Sequence, residues 1–132
     1  MKNTTNKLQK ILEDAPKKIK ESWIEKNVSA GMPILLQDDE QKFLYILISG
    51  TASVSILLSR GTVMPLFVNE PWSILGEMEI FCKIKNIATV TAITDCRLLL
   101  INQDNLLKWI KECPDFAIMM LDEISTKAVY IT

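Results

Sequence analysis

The chain has 132 residues, which is enough for one domain and too few for two well-filled cores. Lysine and arginine total 15 against 16 acidic residues, so the net charge of −1 gives no basic excess of the kind that marks a nucleic-acid-binding surface. Hydrophobic residues make up 48% and charged residues 23%, which excludes the composition of a disordered segment. The absence of histidine removes catalytic triads, histidine bases and histidine-ligated metals, so we expect no enzymatic activity, no metal and no cofactor.

The three cysteines, Cys82, Cys96 and Cys113, are an odd number without a CxxC pair, which indicates neither a disulfide framework nor a zinc site. Reduced thiols and a polar, charged N-terminus without the apolar centre of a secretory signal predict a cytoplasmic protein. Cys82 and Cys96 would be redox sensors if they were exposed and their thiol pKa were lowered, but free cysteines are more often small buried hydrophobes. The longest uncharged stretch, residues 43–59, is interrupted by serine, threonine and glycine, so we interpret it as buried sheet and expect no membrane contact.

The first segment, residues 1–27, has the apolar spacing of helix. Its apolar residues lie three or four apart, and they are Leu8, Ile11, Leu12, Ala15, Ile19, Trp23 and Ile24. Pro16 cannot lie inside one continuous helix, so we expect two short helices that meet at Ala15 and Pro16. The segment is rich in lysine, and we interpret these lysines as a solvated helix face rather than a partner patch.

The second segment, residues 28–101, contains short β-like runs separated by turns rich in glycine, asparagine, aspartate and proline. The runs are 33–36, 42–49, 52–58, 63–68, 73–75, 88–93 and 97–101. In residues 51–58 and 89–94 small polar and apolar side chains alternate, which predicts one inward face for each strand. Strands at this regular spacing are typical of a sandwich or barrel, so we predict a closed β architecture.

Helical periodicity returns in residues 102–132. Residues 102–104 provide an N-cap for a helix that carries Leu106, Leu107 and Ile110 and ends before Pro114. Pro114 begins a last helix whose apolar seam has the spacing of paired helices, and the seam residues are Ala117, Leu121, Ile124, Ala128 and Ile131. No stop signal precedes Thr132, so we expect this helix to continue.

Four motifs lie in order along the β segment. They are the run Phe43-Leu-Tyr-Ile-Leu-Ile-Ser-Gly50 with Thr51-Ala-Ser-Val54, Gly61 at a hairpin, Ile74-Leu-Gly-Glu-Met-Glu-Ile-Phe81, and Ala88-Thr-Val-Thr-Ala92. Their order, with the flanking helices, resembles the sensor half of the Crp/Fnr family of bacterial transcription regulators, which is a cyclic-nucleotide-binding-type domain. The resemblance implies a mainly β fold with flanking α: a double-stranded β-helix, or jelly-roll β-roll, with N-terminal helices and a long C-terminal dimerisation helix.

The third motif is similar to the start of the family's phosphate cassette, so the resemblance implies candidate ligand residues there, namely Gly76, Glu77, Met78, Asn86, Ile87, Ala88 and Thr89. Gly76 permits close approach of the backbone to a ligand, and Glu77 accepts from a hydroxyl. Asn86 occupies the position of the family's phosphate-binding arginine and cannot make its bidentate, charged contact. Lys83 and Lys85 are close enough in sequence to compensate as point charges.

We therefore predict a degenerate pocket that does not respond to cyclic AMP. In this pocket we expect backbone amides to hold Glu77. Two alternatives remain for its content: side chains fill the pocket, or the pocket is shaped for another small molecule.

The resemblance implies a sensor and dimerisation domain that forms a homodimer through its last helix. In the family this helix runs on into a helix-turn-helix domain that binds DNA; these residues contain no such segment, so we expect either part of a longer protein or a free-standing domain unable to bind DNA in this way. Two alternatives stay open: a stand-alone ligand-binding or protein-interaction module, and a cupin-type enzyme, which the lack of histidine disfavours. The family's iron–sulfur branch uses N-terminal cysteines, which residues 1–81 lack.

Overall fold

The computed structural model describes the backbone of residues 2–131 and the side chains of residues 7–129. Within these bounds two antiparallel four-stranded sheets form a β-roll flanked by helices. The helices are α1 (Lys2–Glu13), α2 (Lys17–Glu21), α3 (Glu77–Cys82), α4 (Gln103–Glu112) and α5 (Pro114–Ile131). The strands are β1 (Ile24–Val28), β2 (Pro33–Leu35), β3 (Phe43–Ser49), β4 (Ala52–Leu57), β5 (Val63–Asn69), β6 (Ser73–Leu75), β7 (Thr89–Ala92) and β8 (Cys96–Asn102).

The strand orders are β1-β8-β3-β6 in one sheet and β2-β7-β4-β5 in the other. Because strands distant in sequence are neighbours in each sheet, the chain crosses repeatedly between the sheets, as in a jelly roll. Each β run predicted from the sequence is a strand in the structure, with ends that differ by at most one residue. The predicted mainly β jelly roll with flanking helices is confirmed.

The central strands of one sheet, β3 and β8, are mostly buried. Alternate residues of β3 point to opposite sides, so Leu44 and Ile46 pack against the helices while Tyr45 and Leu47 pack inside the roll. This sheet therefore separates two apolar cores, one between the two sheets and one under the helices. The second core ties the helices to the roll.

The prediction that the helical segment extends to residue 27 is wrong. Strand β1 begins at Ile24 and pairs with β8 in antiparallel register, from Ile24 opposite Leu100 to Val28 opposite Cys96. The helical spacing ends at Trp23, whose ring packs 5.3 Å from that of Trp109. Pairing along the open edge of β8 satisfies the backbone of residues 24–28, which outweighs their local helical pattern.

Three local predictions about the helices are confirmed. The first two helices break at Pro16, which is the N-cap of α2. The side chain of Asn102 caps α4, because its Oδ1 accepts from the backbone N–H of Asn105 at 2.9 Å. Pro114 begins α5. The rings of Trp109 and Phe116 stack with centroids 3.6 Å apart, which fixes α5 against α4.

The uncharged stretch of residues 43–59 forms β3 and β4, as predicted. Among the described residues, no helix has both the length and the apolar character needed to cross a membrane.

Candidate functional site

The predicted phosphate cassette begins where β6 passes into α3 through Gly76. This glycine has a φ of 83°, in the left-handed region that disfavours residues with a side chain. A Cβ at this position would lie 2.0 Å from Nε2 of Gln41, whose amide also donates to the carbonyl oxygen of Phe43. The backbone angle therefore favours glycine at this turn, and the end of the flexible Gln41 side chain occupies the space beside it.

Glu77, the next residue, is buried and ion-paired. Its side chain is 2% exposed, and its Oε1 lies 2.7 Å from Nζ of Lys127 on α5. The same ammonium donates to the carbonyl oxygen of Ile74 on β6. The prediction that backbone amides hold Glu77 is wrong, because the partner of this carboxylate among the described residues is the Lys127 ammonium.

Lys127 is a functional candidate that the sequence analysis missed. It is the single basic residue of α5 and lies fifty positions from Glu77 in the chain. The sequence does carry a signal for Lys127, because every other charged residue of α5 is acidic. Because a buried lysine is costly unless it is paired, such a residue indicates a carboxylate partner on a neighbouring element.

Asn86, at the position of the family's arginine, does not line the recess that Glu77 lines. It is 3% exposed, and its Nδ2 donates to the carbonyl oxygen of Leu36 at 2.9 Å. Its backbone N–H donates to Asp39, and its carbonyl oxygen accepts from the N–H of Asp38, each at 2.9 Å. Asn86 thus holds the loop that follows β2, and the prediction that it lines the ligand site is wrong.

Thr89 is the second predicted ligand residue that lies outside the recess. Its Oγ1 accepts from the backbone N–H of Gln37 at 3.0 Å, so its hydroxyl also serves the loop after β2. Lys83 and Lys85 are exposed and do not line the recess, so they do not replace the arginine there. The cation that does line the recess is Lys127, and it is paired with Glu77.

The other five predicted residues line one recess between the two sheets and α5: Gly76, Glu77, Met78, Ile87 and Ala88. The remaining lining is Leu35, Val54, Leu66, Phe67, Asn69, Leu75, Glu79, Val90 and Lys127. The candidate site is therefore a mostly apolar recess with a few polar groups, the usual composition of a small-molecule site.

Glu79, on α3, forms part of the wall of the recess. Its Oε2 accepts from the backbone N–H of Ile87 at 3.2 Å, which joins α3 to the segment that leads into β7. Because this carboxylate is engaged with the protein backbone, Glu79 shapes the wall of the recess.

The outward face of α5 carries large exposed apolar side chains. Ile118, Leu121 and Val129 are 63%, 65% and 77% exposed. Of the other predicted seam residues, Ala117, Ile124 and Ala128 are half-buried, and the side chain of Ile131 lies outside those described. The exposed stripe therefore includes Leu121 but is rotated slightly from the predicted seam. The buried face of the helix carries Phe116, Met119 and Met120.

The cysteines differ in exposure. Cys82 is exposed, whereas Cys96 is buried and its Sγ donates to the carbonyl oxygens of Thr51 and Thr94 at 3.3 Å. Burial, together with the charge of Asp95, raises the pKa of the Cys96 thiol. A raised pKa lowers the thiolate fraction and so disfavours a redox role for Cys96.

Glu123 lies one turn before Lys127 on α5 and is half-buried. Burial raises the pKa of its carboxyl, the Lys127 ammonium opposes this shift, and the charges of Glu77 and Asp122 add to it. The folded protein therefore holds a proton on Glu123 more tightly than the unfolded chain does.

We expect the free energy of unfolding to fall as the pH rises from the ordinary glutamate pKa through the raised pKa of Glu123, because the folded state binds the extra proton. Glu123→Gln should remove this dependence. The variant should have a higher free energy of unfolding than the wild type near pH 7, and the same one below about pH 4.3. Urea denaturation at the two pH values measures the difference. Glu112→Gln, at an exposed position on α4, is the control, and its free energy of unfolding should change with pH as that of the wild type does. A wild type that gains stability over Glu123→Gln as the pH rises contradicts this prediction.

Comparisons with known proteins agree with this fold. Residues 25–113 match the family model of the cyclic nucleotide-binding domain, so the chain belongs to that family. Its solved neighbours include Crp/Fnr-type transcription regulators, as the sequence resemblance implied. A search of curated proteins gives no match.

Three solved structures illustrate the likeness. The catabolite activator protein of Thermus thermophilus has a TM-score of 0.77 and 20% identity, over 89% of this chain and 57% of that one. A transcriptional regulator of Thermotoga maritima has a TM-score of 0.78 and 19% identity, over 87% and 90%. The sensor domain of the regulator DNR of Pseudomonas aeruginosa has a TM-score of 0.68 and 21% identity, over 92% and 76%. At these identities the likeness establishes the fold.

Proposed function

We propose that the chain is the sensor and dimerisation domain of a Crp/Fnr-type transcription regulator, and that its pocket does not respond to cyclic AMP. In this proposal residues 28–101 hold the pocket and residues 102–132 carry the signal to the dimer. In this proposal the domain has no catalytic role, and a separate helix-turn-helix domain of the regulator binds the operator DNA.

The observation that carries the proposal is the ion pair between Glu77 and Lys127. The ammonium of Lys127 is the cation of the described recess lining, and it already neutralises the buried carboxylate of Glu77, whose Oε1 lies 2.7 Å away. A cyclic phosphate that took this ammonium as its partner would leave Glu77 buried without a counter-charge, which is costly. Cyclic AMP is therefore disfavoured by the cost of placing its phosphate in the recess.

The charges around the recess support the same conclusion for the phosphate. The chain has two arginines, and neither lines the recess: Arg60 lies exposed after β4, and Arg97 pairs with Glu25 at 3.1 Å on the β1 edge. The described lining thus supplies no guanidinium for a bidentate phosphate contact.

Helix α5 connects the pocket with the proposed dimer surface. Lys127 reaches the recess from one face of the helix, and Leu121 lies on its exposed face. A change in the partner of Lys127 would therefore act on the same rigid element that presents Leu121. This arrangement is what a sensor domain needs in order to couple an effector to the geometry of a dimer.

Light scattering on the purified protein, with and without cyclic AMP, tests the proposal. We expect a dimer, with twice the 15.0 kDa of one chain, whose mass and radius do not change when the nucleotide is added. A monomer would contradict the dimerisation role and favour the stand-alone module. A change of mass or radius with cyclic AMP would contradict the proposed insensitivity.

A further inference from the structure

We propose that the recess binds a small uncharged molecule with an apolar body, which donates a hydrogen bond to Glu77 and accepts one from Asn69. This inference rests on the proposed function, since it names the class of effector that a pocket closed to cyclic AMP would take. It is carried by two buried polar atoms of the recess that have no hydrogen-bond partner among the described residues.

The first atom is Oε2 of Glu77, and the second is Nδ2 of Asn69. Each is buried without a hydrogen-bond partner among the described residues, and both residues line the recess. Glu77 and Asn69 are 1% and 7% exposed. An unpaired buried polar atom is costly, and native proteins keep few of them. One atom accepts and the other donates, so a ligand that carries both a donor and an acceptor satisfies the pair.

The walls of the recess define the body of the ligand. Apolar side chains from both sheets face it, including those of Leu35, Val54, Leu66 and Val90. These walls favour a flat or compact apolar group over a strongly hydrated one.

The charges of the recess define the charge of the ligand. Its ionisable lining is two carboxylates, of Glu77 and Glu79, and one ammonium, of Lys127. An anion would enter a site of net negative charge and low polarity, which costs free energy. A neutral ligand avoids this cost.

Binding should also act on α5. The ligand would donate to Oε2 of Glu77, and Lys127 lies 2.7 Å from the other oxygen of the same carboxylate, so a bound ligand changes the surroundings of this ion pair. Because Lys127 belongs to α5, occupancy of the recess and the position of the helix are coupled.

Adenosine and cyclic AMP form a matched pair of probes, because adenosine offers hydroxyl donors, ring acceptors and a flat body, and cyclic AMP adds a phosphate charge. We expect about 1 mM adenosine to raise the Tm of the wild type by about 3 °C, and cyclic AMP to leave it unchanged. In Asn69→Leu, adenosine should no longer raise the Tm. Without any ligand, Asn69→Leu should melt about 3 °C above the wild type, because leucine replaces an unpaired amide with an apolar side chain of similar size.

The outcomes separate this inference from the proposed function. If neither probe shifts the Tm, the ligand class is overturned while the proposed insensitivity to cyclic AMP stands. If cyclic AMP shifts the Tm as much as adenosine does, or more, both are overturned. An Asn69→Leu protein that melts below the wild type without ligand would make Asn69 a structural residue and overturn its assignment as a ligand anchor.

Discussion

Replacement of Lys127 by methionine is expected to lower the free energy of unfolding by about 3 kcal/mol, because it leaves the buried carboxylate of Glu77 without a counter-charge. Methionine preserves the apolar length of the lysine side chain, so the loss reports the ammonium rather than its packing. The lysine is 19% exposed and the glutamate 2%, so solvent screens this pair far less than a surface pair. Urea denaturation at pH 7 and constant protein concentration measures the change.

The double variant Lys127→Met with Glu77→Met is expected to recover most of the loss, because two apolar side chains replace the whole ion pair without leaving a charge behind. Lys111→Met, at an exposed position on α4, is the matched control and should remain within about 0.5 kcal/mol of the wild type. If Lys127→Met is as stable as this control, the ion pair does not fasten α5 to the roll.

The second large effect is expected on assembly. Leu121→Glu should weaken the dimer by at least about 100-fold, because each protomer loses a buried leucine and two carboxylates face each other across the two-fold axis. Leu121 is 65% exposed in the single chain, so its substitution should leave the fold intact. Sedimentation over a dilution series measures the dissociation constant.

Leu107→Glu is the matched control for assembly. Leu107 is 40% exposed on α4, outside the proposed dimer surface, so this variant should remain dimeric. Ile124→Glu, at a half-buried seam position, should weaken the dimer as well. A Leu121→Glu protein that remains dimeric at the wild-type dissociation constant would place the dimer surface elsewhere.

The β-roll was predictable because its strands carry a local signal. The alternation in residues 51–58 and the glycine turns at Gly50 and Gly61 come from neighbouring residues, and each is read without knowledge of the fold. Strand β1 lacks this signal: four of its five residues are exposed, so no inward face distinguishes it from the preceding helix. Its pairing with β8 joins residues about seventy positions apart and depends on the completed sheet.

The site was predictable in part for the same reason. The turn at Gly76 and the carboxylate of Glu77 follow from a contiguous motif, and both line the recess. The orientation of Asn86 depends on the loop after β2, whose backbone it binds. The cation of the site, Lys127, lies on a helix placed by the packing of Trp109 against Phe116. The lone lysine of α5 is visible in the sequence, but its partner Glu77 is set by tertiary contacts between residues fifty positions apart.

Isothermal titration of cyclic AMP into the wild-type protein tests most directly whether the pairing of Glu77 with Lys127 closes this pocket to cyclic nucleotides. We expect no saturable heat up to about 1 mM nucleotide, a limit that corresponds to a binding free energy weaker than about −4.1 kcal/mol. Saturable binding with a micromolar dissociation constant would contradict a pocket that is closed to cyclic AMP.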